Sequence, residues 1–454
     1  MNLVRDIFRE YDIRGITGSQ LTPEVARVVG RAFAAFLAER GIQGTVAVGR
    51  DNRPSGDWLH RELVAGLLES GVDIVDIGVV PTPLAYWAQH NLDVVAGIQI
   101  TGSHNPREYN GFKLGVGKAS IYGDDIQRVY ELATDGEFPN GQGSLREEPV
   151  IDRYIDDVVS RIGRISRPIR IAADAGNGAG ALVAAKLFAR LGVDVTCLFC
   201  ESDGSFPNHH ADPTVPENLE DLINELYKGG YDCGVAFDGD ADRIGVVEDT
   251  GDIIWGDYLL ILYARDVLAR LPGAPIIFDV KCSQALPEAV EKAGGIPVMW
   301  KTGHSLIEEK MHELHAPLAG EMSGHMYFDE GWYGFDDALY GAARLIKIVA
   351  DSGKSVHQLL ADVPRFVSTP EIRVACPDDK KFGIVSEAVK YFGAKYKTID
   401  VDGVRIQYPD GWGLIRVSNT QPVIVLRFEA STRQQLDAIR AEIEGWLAQH
   451  GVQI

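Results

Sequence analysis

The stretch Ile169-Arg-Ile-Ala-Ala-Asp-Ala175 is a short apolar strand that ends in a polar residue. A predicted helix over 180–191 follows it and stops at Gly192, after which the chain reads Val193-Asp-Val195. A strand, a helix closed by a glycine and a second β-branched strand are typical of a βαβ unit. Because the helix carries the chain back to the edge at which the first strand began, the two strands are predicted to be parallel.

The same order of elements occurs twice more. Apolar strands at 45–51 and 275–281 are each followed by a predicted helix, over 58–70 and 284–293, and then by a glycine and a further β-branched run. Three such units in series predict three successive α/β domains of related topology, each with a largely parallel sheet.

The chain from about residue 366 has a different order. A strand and a helix are followed there by three consecutive strands with short turns, a fourth strand and a closing helix. Consecutive strands with short turns favour an antiparallel sheet, so this part is predicted to be a C-terminal α+β domain. We therefore predict domains over 1–150, 151–252, 253–365 and 366–454.

Composition and charge bound the class of protein. The 454 residues are 45% hydrophobic and 24% charged, which is typical of a globular protein with several cores and excludes a disordered chain, a collagen-like repeat and a small disulfide scaffold. The net charge of −21 repels phosphate backbones and anionic lipids, so neither nucleic acid nor membrane is an expected partner. The chain has no apolar run of about 18 residues and no apolar signal core near its start, and we expect a cytoplasmic protein.

Cys197 and Cys200 form a C-x-x-C pattern in the run Val193-Asp-Val-Thr-Cys-Leu-Phe-Cys200. The pattern is compatible with a redox pair or half of a zinc site. A three-residue offset in a strand puts the two side chains on opposite faces, and no second C-x-x-C occurs. We therefore predict two free, buried thiols.

Polar loops that follow apolar strands are candidate ligand sites, because ligands of open α/β sheets bind beyond the carboxyl ends of the strands. The first is Thr101-Gly-Ser-His-Asn-Pro106. Gly102 and Pro106 bracket a tight turn that would expose the Ser103 hydroxyl with His104 beside it. An activated or phosphorylated serine and an ordinary polar turn fit this loop about equally.

The second loop is Asp238-Gly-Asp-Ala-Asp-Arg243. Three carboxylates at alternating positions repel one another unless a cation compensates them, and oxygen ligands suit Mg²⁺. The spacing favours a magnesium site over a solvated acidic loop. The nearby glycine-rich stretch Asp174-Ala-Gly-Asn-Gly-Ala-Gly180 has neither the Lys-Ser/Thr of a P-loop nor a dinucleotide fingerprint, so we predict that it serves close packing.

Further polar loops occur in the third and fourth domains. Lys281, Lys301-Thr-Gly-His-Ser305 and Gly320-Glu-Met-Ser-Gly-His325 combine small residues with groups suited to the hydroxyls of a polyol. Arg416-Val-Ser-Asn-Thr420 places a guanidinium and small hydrogen-bond donors around a turn, which suits a phosphate dianion. Ordinary polar loops remain the alternative for each of these segments.

Taken together and in order, these motifs resemble the α-D-phosphohexomutase superfamily, and within it the bacterial phosphomannomutase/phosphoglucomutase family. The resemblance extends from residue 7 to about 440 and rests on Tyr11-Asp-Ile-Arg-Gly15, Asn110-Gly-Phe-Lys113 and the loops at 101–106, 238–243, 320–325 and 416–420. It implies three related α/β domains and a smaller fourth domain around one central cleft.

The resemblance also implies roles for individual residues. Ser103 resembles the phosphoserine, and Asp238, Asp240 and Asp242 resemble the Mg²⁺ ligands that act with its phosphate. Residues that resemble those assisting proton transfer or stabilising the phosphoryl group are Arg14, His104 and Lys113. Residues that resemble sugar-binding groups of the cleft are Tyr11, Arg243, Lys281, His304, Glu321, Ser323 and His325. Residues that resemble those binding the non-reacting phosphate are Arg416, Ser418, Asn419 and Thr420.

The expected activity is the reversible transfer of a phosphoryl group between the 1- and 6-positions of mannose and glucose phosphates. A hexose 1,6-bisphosphate intermediate, Mg²⁺ as cofactor and glucose 1,6-bisphosphate as activator are implied. Three alternatives stay open: a phosphoglucosamine mutase, which usually carries Gln where this chain has Met322, a magnesium phosphohydrolase with an aspartyl nucleophile, and a sugar-phosphate-binding regulator without turnover. The sequence leaves the gluco/manno preference and the oligomeric state open.

Overall fold

A computed structural model of the chain describes residues 3–419 and 421–452. The first domain contains a seven-stranded sheet in the order β1-β5-β4-β2-β3-β7, with β6 paired to β5. Its strands are β1 (Ile13–Ile16), β2 (Val46–Arg50), β3 (Ile74–Val79), β4 (Ala96–Ile100), β5 (Tyr109–Val116), β6 (Ala119–Ser120) and β7 (Leu145–Glu147). Its helices are a 3₁₀ turn at Arg5–Ile7, α1 (Pro23–Glu39), α2 (Gly56–Glu69), α3 (Thr82–Asn91) and α4 (Asp124–Asp135).

The second domain has a five-stranded sheet in the order β12-β11-β10-β8-β9. Its strands are β8 (Arg170–Asp174), β9 (Asp194–Leu198), β10 (Cys233–Phe237), β11 (Ile244–Glu248) and β12 (Ile253–Ile254). Its helices are α5 (Ile151–Ile162), α6 (Ala184–Arg190) and α7 (Glu220–Leu226), with 3₁₀ turns at Ala179–Leu182 and Pro216–Leu219.

The third domain has a four-stranded sheet in the order β14-β13-β15-β16. Its strands are β13 (Pro275–Asp279), β14 (Ile296–Trp300), β15 (Leu318–Gly320) and β16 (Met326–Phe328). Its helices are α8 (Gly256–Arg270), α9 (Ala285–Lys292), α10 (His304–Leu314), α11 (Ala338–Ser352) and α12 (Val356–Leu360).

The fourth domain has an antiparallel sheet in the order β17-β22-β21-β20-β19, with β18 also paired to β22. Its strands are β17 (Val367–Ser368), β18 (Ile372–Ala375), β19 (Lys397–Ile399), β20 (Val404–Tyr408), β21 (Gly411–Val417) and β22 (Val423–Ala430). Helices α13 (Asp378–Gly393) and α14 (Arg433–Gln449) complete the predicted α+β domain. Thr432 caps α14 by accepting a hydrogen bond from the backbone of Gln435, which fixes where that helix begins.

The sheets of the first three domains are mixed rather than largely parallel. Each sheet contains parallel strands, and one of these pairs antiparallel with the strand that follows it along the chain. The antiparallel pairs are β4 with β5, β10 with β11 and β15 with β16. The connections between these partners are the polar loops at 101–108, 238–243 and 321–325. In the fourth domain the loop at 418–422 likewise joins two antiparallel strands, β21 and β22. At all four candidate sites, therefore, the polar loop connects two antiparallel neighbouring strands.

The first three domains share buried apolar contacts, whereas the fourth has a core of its own. Val280 of the third domain packs with Trp412 and Leu414 of the fourth and joins the two. The guanidinium of Arg405 stacks on Trp412 at 3.7 Å and donates hydrogen bonds to the carbonyl oxygens of Val280 and Cys282 at 2.7 and 2.6 Å. The fourth domain is thus fastened to the loop that carries Lys281.

The prediction for the C-x-x-C pair is wrong: Cys197 and Cys200 form a disulfide. Strand β9 ends at Leu198, and Phe199 has a φ of 50°. This left-handed residue turns the chain, so the strand offset that would separate the two thiols no longer applies. The other cysteines are buried free thiols, and no helix among the described residues is long and apolar enough to span a membrane.

Candidate active site

Ser103 lies on the loop between β4 and β5 and is 3% exposed. Its φ of 47° is unusual for a residue with a side chain and points to a loop that the surrounding structure holds in place. Its Oγ lies 3.1 Å from Oδ2 of Asp238, to which it donates, and 3.1 Å from Nδ1 of His104. The structure therefore brings the candidate nucleophile of the first domain onto the acidic loop of the second.

The three aspartates of the acidic loop are fully buried and converge. One carboxylate oxygen from each of Asp238, Asp240 and Asp242 lies within 4.8 Å of the others. Ala241, with a φ of 58°, bends the loop, and the backbone N–H groups of Asp242 and Arg243 donate to Oδ1 of Asp238 at 3.1 Å. The alternating spacing in the sequence thus becomes a common focus.

The glycine-rich stretch 174–180 packs against this loop. A Cβ on Gly178 would lie 2.7 Å from the carbonyl oxygen of Gly239. The backbone N–H of Ala179 donates to that same oxygen at 2.9 Å. Close packing, as predicted from the sequence, is the role that these contacts support.

A divalent cation fits the focus of the three aspartates. Oδ1 of Asp240 and Oδ1 of Asp242 are buried and have no hydrogen-bond partner within residues 3–419 and 421–452. Burial, together with Asp242 and Asp240, raises the pKa of Asp238 well above its ordinary value. Orphaned oxygens and mutual repulsion are what a hard cation such as Mg²⁺ relieves.

Lys113 supplies a protein cation at the edge of the cluster. Its Nζ lies 2.5 Å from Oδ2 of Asp242 and 4.0 Å from Oδ2 of Asp240. Burial opposes the charged lysine, but Asp242, Tyr86, Asp240 and Asp336 together outweigh burial and raise the pKa of Lys113. Burial would raise the pKa of Asp242, yet Lys113, His325 and Arg243 together lower it. This pair is therefore charged.

Arg14 and His104 complete the surroundings of the serine. Arg14 forms an ion pair with Asp12 and donates from Nη1 to the carbonyl oxygen of Gly102 at 3.1 Å. Burial, Arg243 and Arg14 lower the pKa of His104 well below its ordinary value, so the imidazole is neutral. A neutral imidazole beside a hydroxyl can accept a proton and return it.

The third domain contributes Glu321, Ser323 and His325 from the loop between β15 and β16. Glu321 accepts hydrogen bonds from the backbone N–H of Gly303 at 2.9 Å and from the hydroxyl of Tyr327 at 3.1 Å. These contacts aim the carboxylate at the loop that bears His304. Ser323 is half-buried on the same loop.

His325 connects the third domain to the acidic loop. Its Nε2 accepts from Nε of Arg243 at 2.9 Å, and its Nδ1 lies 2.7 Å from Oδ2 of Asp336 and 3.7 Å from Oδ1 of Asp242. Asp336 was not predicted from the sequence as a site residue. It precedes Asp337, the N-cap of α11, so the pair reads as a helix start.

Tyr11 joins three domains at the other end of the cleft. Its hydroxyl donates to the carbonyl oxygen of Thr302 at 2.8 Å and accepts from Nδ2 of Asn419 at 2.8 Å. Its ring meets that of His304 edge to face, with centroids 5.9 Å apart. Nε2 of His304 is buried and has no hydrogen-bond partner among the residues that the structure describes.

Arg416 and Lys281 are the buried cations near this end. Nε of Arg416 donates to Oδ2 of Asp402 at 2.9 Å. Nζ of Lys281 lies 3.3 Å from Oε2 of Glu371 and 3.4 Å from Oδ2 of Asp279. Ser418 is 8% exposed, and its carbonyl oxygen accepts from Nζ of Lys381 at 2.6 Å. Thr420 lies outside the described residues.

Most of the predicted site residues form two groups, and the contacts above do not assign Lys281, Glu321, Ser323 and Ser418 to either of them. The first surrounds Ser103 and the acidic loop and contains Arg14, His104, Lys113, Asp238, Asp240, Asp242, Arg243 and His325. The second lies around Tyr11 and the fourth domain and contains His304, Arg416 and Asn419.

Buried residues that the sequence analysis missed support the first group. Thr82 and Thr101 contact Oδ2 of Asp240, the latter at 3.0 Å. Asp51 and Arg53 form an ion pair directly under the serine loop. Arg50-Asp-Asn-Arg53 follows an apolar strand, so the rule that found the other loops would also have found this one.

Comparisons with known proteins agree with this geometry. Models of the phosphoglucomutase/phosphomannomutase family match the chain in four pieces: α/β/α domain I over 5–140, domain II over 152–251, domain III over 255–366 and the C-terminal domain over 371–445.

Individual relatives cover almost the whole chain. The phosphomannomutase/phosphoglucomutase of Pseudomonas aeruginosa is 46% identical over 440 residues, which cover 96% of this chain and 94% of that protein. The phosphoglucomutase of Neisseria gonorrhoeae is 46% identical and covers 97% and 96%. A crystal structure of a phosphoglucomutase/phosphomannomutase family protein from Burkholderia thailandensis matches with a TM-score of 0.92 at 45% identity over 98% of each chain. On the strength of these matches, the chain is a member of the phosphoglucomutase/phosphomannomutase family, whose relatives at this level of identity are isomerases of sugar phosphates.

Proposed function

We propose that this enzyme moves a phosphoryl group reversibly between the 1- and 6-positions of mannose and glucose phosphates. Ser103 is the proposed carrier. The observation on which the proposal rests is the 3.1 Å contact between the Ser103 hydroxyl and Asp238, within a buried carboxylate cluster that has orphaned oxygens. Membership of a family of sugar-phosphate mutases supports it.

Each half of the proposed turnover exchanges one P–O bond for another. The bond between Ser103 Oγ and phosphorus breaks, a bond from a sugar hydroxyl oxygen to phosphorus forms, and the hydroxyl proton ends on Ser103 Oγ. His104, neutral and 3.1 Å from that oxygen, is placed to pass this proton. The product of the first half is a hexose 1,6-bisphosphate, which reorients and returns its other phosphoryl group to Ser103.

Charge neutralisation is the main task of the surrounding groups, because phosphoryl transfer concentrates charge on the phosphoryl oxygens. Asp238, Asp240 and Asp242 would hold Mg²⁺ together with the Ser103 phosphate. When bound, the ion supplies positive charge to those oxygens. Arg14 and Lys113 add the charge that belongs to the chain itself.

The remaining cleft residues are proposed to bind the hexose phosphate. Sugar contacts are assigned to Tyr11, Arg243, Lys281, His304, Glu321, Ser323 and His325, and the non-reacting phosphate to Arg416, Ser418, Asn419 and Thr420. A site that recognises phosphate rather than a particular carbon can hold either end of the bisphosphate. This suits an intermediate that must reverse its orientation between the two transfers.

Other parts of the proposal are expectations from the sequence. They are the four domains over 1–150, 151–252, 253–365 and 366–454, a requirement for glucose 1,6-bisphosphate as activator, and a cytoplasmic enzyme without nucleic-acid or membrane partners. The acidic composition, with a net charge of −21, supports the last of these.

Two measurements test the proposal. The first is a coupled assay with mannose 1-phosphate, glucose 1-phosphate and glucosamine 1-phosphate. Turnover of the first two is expected, and a preference for the third would identify a phosphoglucosamine mutase.

The second is intact-mass analysis with site mapping, which is expected to find phosphate on Ser103. Ser103→Ala is expected to lower kcat by several orders of magnitude, because it removes the covalent carrier. Phosphate on Asp238 would identify a phosphohydrolase instead, and binding of sugar phosphates without turnover would identify a regulator.

A further inference from the structure

One buried guanidinium lies directly beneath the serine loop. Arg53 is 2% exposed. Its Nη1 donates to the carbonyl oxygens of Pro106 and Tyr109 at 2.7 and 3.0 Å, and its Nη2 donates to those of Ser103 and Asn105, both at 2.6 Å. A single side chain therefore binds four backbone acceptors of the segment that carries the nucleophile.

Asp51 holds this guanidinium in place. Its Oδ2 accepts from Nε of Arg53 at 3.1 Å, and its Oδ1 accepts from the backbone N–H of Arg53 at 3.0 Å. Oδ2 also accepts from the hydroxyl of Thr101 at 2.9 Å and from the backbone N–H of Gly102 at 3.0 Å. Asp51 and Arg53 thus bind the donors and the acceptors of the same loop.

Arg14, which donates to the carbonyl oxygen of Gly102, and the Thr101 hydroxyl, which accepts from the backbone N–H of Ser103 at 2.8 Å, also hold this loop. Arg53 adds four backbone contacts from one side chain. Ser103 has a left-handed φ of 47°, which a residue with a side chain adopts only where its surroundings require it. Gly102 lies so close to the guanidinium that a Cβ there would be 2.5 Å from Cζ of Arg53. Without Arg53, the four carbonyl oxygens would lose a charged donor, and that of Pro106 would keep the backbone N–H of Tyr109. The backbone would then relax away from this conformation.

The second domain covers the guanidinium from the other side. The ring of Phe206 lies 5.2 Å from Cζ of Arg53, and a Cβ on Gly204 would lie 2.2 Å from the carbonyl oxygen of Asn52. Arg53 therefore sits between the serine loop and the domain that bears Asp238. Arg53 can therefore fix the position of Ser103 relative to the acidic cluster as well as the shape of the serine loop.

We propose that Arg53, anchored by Asp51, is a positioning residue for phosphoryl transfer. It fixes the backbone of 103–106 so that the Ser103 hydroxyl faces Asp238, and it contacts neither substrate nor metal ion. This inference rests on the proposed role of Ser103 as carrier. A lysine cannot replace it, because an ammonium is a point charge and lacks the planar fork that reaches all four carbonyl oxygens.

The test compares Arg53→Lys with Arg344→Lys. Arg344 is a matched control: it is 7% exposed and donates to the carbonyl oxygen of Glu330 and to the carboxylates of Glu330 and Asp266, in the third domain. Kinetics with glucose 1-phosphate, thermal unfolding and the single-turnover rate of Ser103 phosphorylation by glucose 1,6-bisphosphate are measured for both.

Arg53→Lys is expected to lower kcat about 100-fold with KM changed by less than about 3-fold, since a misplaced nucleophile slows the chemical step more than binding. Phosphorylation of Ser103 is expected to slow by the same factor. Arg344→Lys is expected to lower Tm by a similar amount and to leave both rates unchanged. Equal rates for Arg53→Lys and wild type, or a loss of rate that follows Tm in both variants, would overturn the inference.

Asp51→Asn serves if Arg53→Lys does not fold. It keeps the four carbonyl contacts of Arg53 but weakens their anchor, and is expected to lower kcat about 10-fold without a matching change in KM. An unchanged kcat in Asp51→Asn would also count against the proposal. A wild-type protein that never carries phosphate on Ser103 would refute the proposed function itself, whereas a phosphorylated wild type with fully active variants would refute only the role of Arg53.

Discussion

The two groups of site residues differ in how their buried charges are paired. The serine end is the group around Ser103 and the acidic loop, and the phosphate end, named for its proposed role, is the group around Tyr11 and Arg416 together with Lys281. At the serine end, three buried aspartates face Lys113 and Arg243, and two carboxylate oxygens have no hydrogen-bond partner among the described residues. At the phosphate end, Arg416 is paired with Asp402, and Lys281 is paired with Glu371. The first end is short of positive charge, and the second already has an anion for each of these cations.

This difference separates chemistry from binding. The serine end needs a cation before its charges balance, so changes there should affect kcat and metal dependence. If the phosphate end binds phosphate as proposed, an incoming phosphate has to compete with Asp402 and Glu371, which already pair with Arg416 and Lys281. Such an exchange weakens net binding, which favours release and reorientation of a bisphosphate that has to return in the other direction. Four predictions test the contrast, beginning with the largest effect.

Asp240→Asn is expected to lower kcat about 100-fold or more and to raise the Mg²⁺ concentration needed for half-maximal activity. The change removes an anionic ligand from a hard-cation site, and even outer contacts of such sites are worth 10- to 100-fold. Mg²⁺ is also expected to raise Tm in the wild type and to raise it less in the variant, because a ligand stabilises the state that binds it.

Asp337→Asn is the control for that variant. Asp337 is as buried as Asp240, but its carboxylate is bonded by the hydroxyl of Tyr154 and by Nε1 of Trp332. It should keep the wild-type dependence on Mg²⁺. Wild-type activity that persists in a strong chelator would remove the metal from the serine end and with it the contrast.

Arg416→Ala is expected to raise KM for both sugar phosphates together. Loss of a charge-assisted contact in a desolvated cleft costs about 2–4 kcal/mol, or roughly 30- to 1,000-fold in kcat/KM. Premature loss of the bisphosphate should make the variant more dependent on added glucose 1,6-bisphosphate. Arg433→Ala, on the exposed start of α14, is the control, and a normal KM in Arg416→Ala would assign Arg416 to an ordinary turn.

Tyr11→Phe and Asn419→Ala are each expected to raise KM about 5- to 30-fold. Each removes the hydrogen bond at 2.8 Å between the first and fourth domains, worth about 1–2 kcal/mol. If both act through this bond, the double variant should be little worse than either single one. Additive effects in a double-mutant cycle would show that the two residues bind the ligand independently.

Glu371→Gln is expected to affect stability more than turnover, and only in part of the pH range. Burial raises the pKa of this carboxyl, but Lys281 and Arg373 outweigh it and lower the pKa from 4.5 to about 2. The stabilisation, at most about 3 kcal/mol, is therefore fully present above pH 4.5 and is lost as the pH falls through about 2.

Urea unfolding at several pH values measures this effect. The wild type and Glu371→Gln should differ by a constant amount at neutral and mildly acidic pH and converge below pH 4.5. If the free energies of unfolding of the two proteins still differed by the same amount at pH 3, Glu371 would not be stabilised by its ion pair with Lys281.

The predictable part of the site is the part that local spacing encodes. The triple aspartate of 238–242 and the turn around Ser103 both lie at strand ends, and ligands of such sheets bind beyond strand ends. The order of strands and helices likewise predicted three α/β units and a final antiparallel sheet. The antiparallel strands β5, β11 and β16 were not predicted, because returns through irregular loops have no short-turn signature.

The unpredicted part depends on contacts between distant segments or on one irregular residue. The strand-end rule would have found the loop that carries Arg53 but not its contact: β2 and β4 lie side by side, which brings 51–53 under 101–106. Asp336 matters because it meets His325, yet in the sequence it looks like a second helix cap. The disulfide of Cys197 and Cys200 depends on the left-handed Phe199, and no pattern in that apolar run signals such a turn.

The hydrogen bonds that assemble the site join residues far apart along the chain, and this has a consequence for folding. Ser103 and Asp238 are separated by 135 positions, and Tyr11 and Asn419 by 408. Contacts of such range form late, because closing long loops costs entropy that nearby contacts do not incur. During synthesis the first three domains can fold as each emerges, whereas the cleft cannot close until the fourth domain is out of the ribosome. Catalytic competence is therefore the last property that a newly made chain acquires.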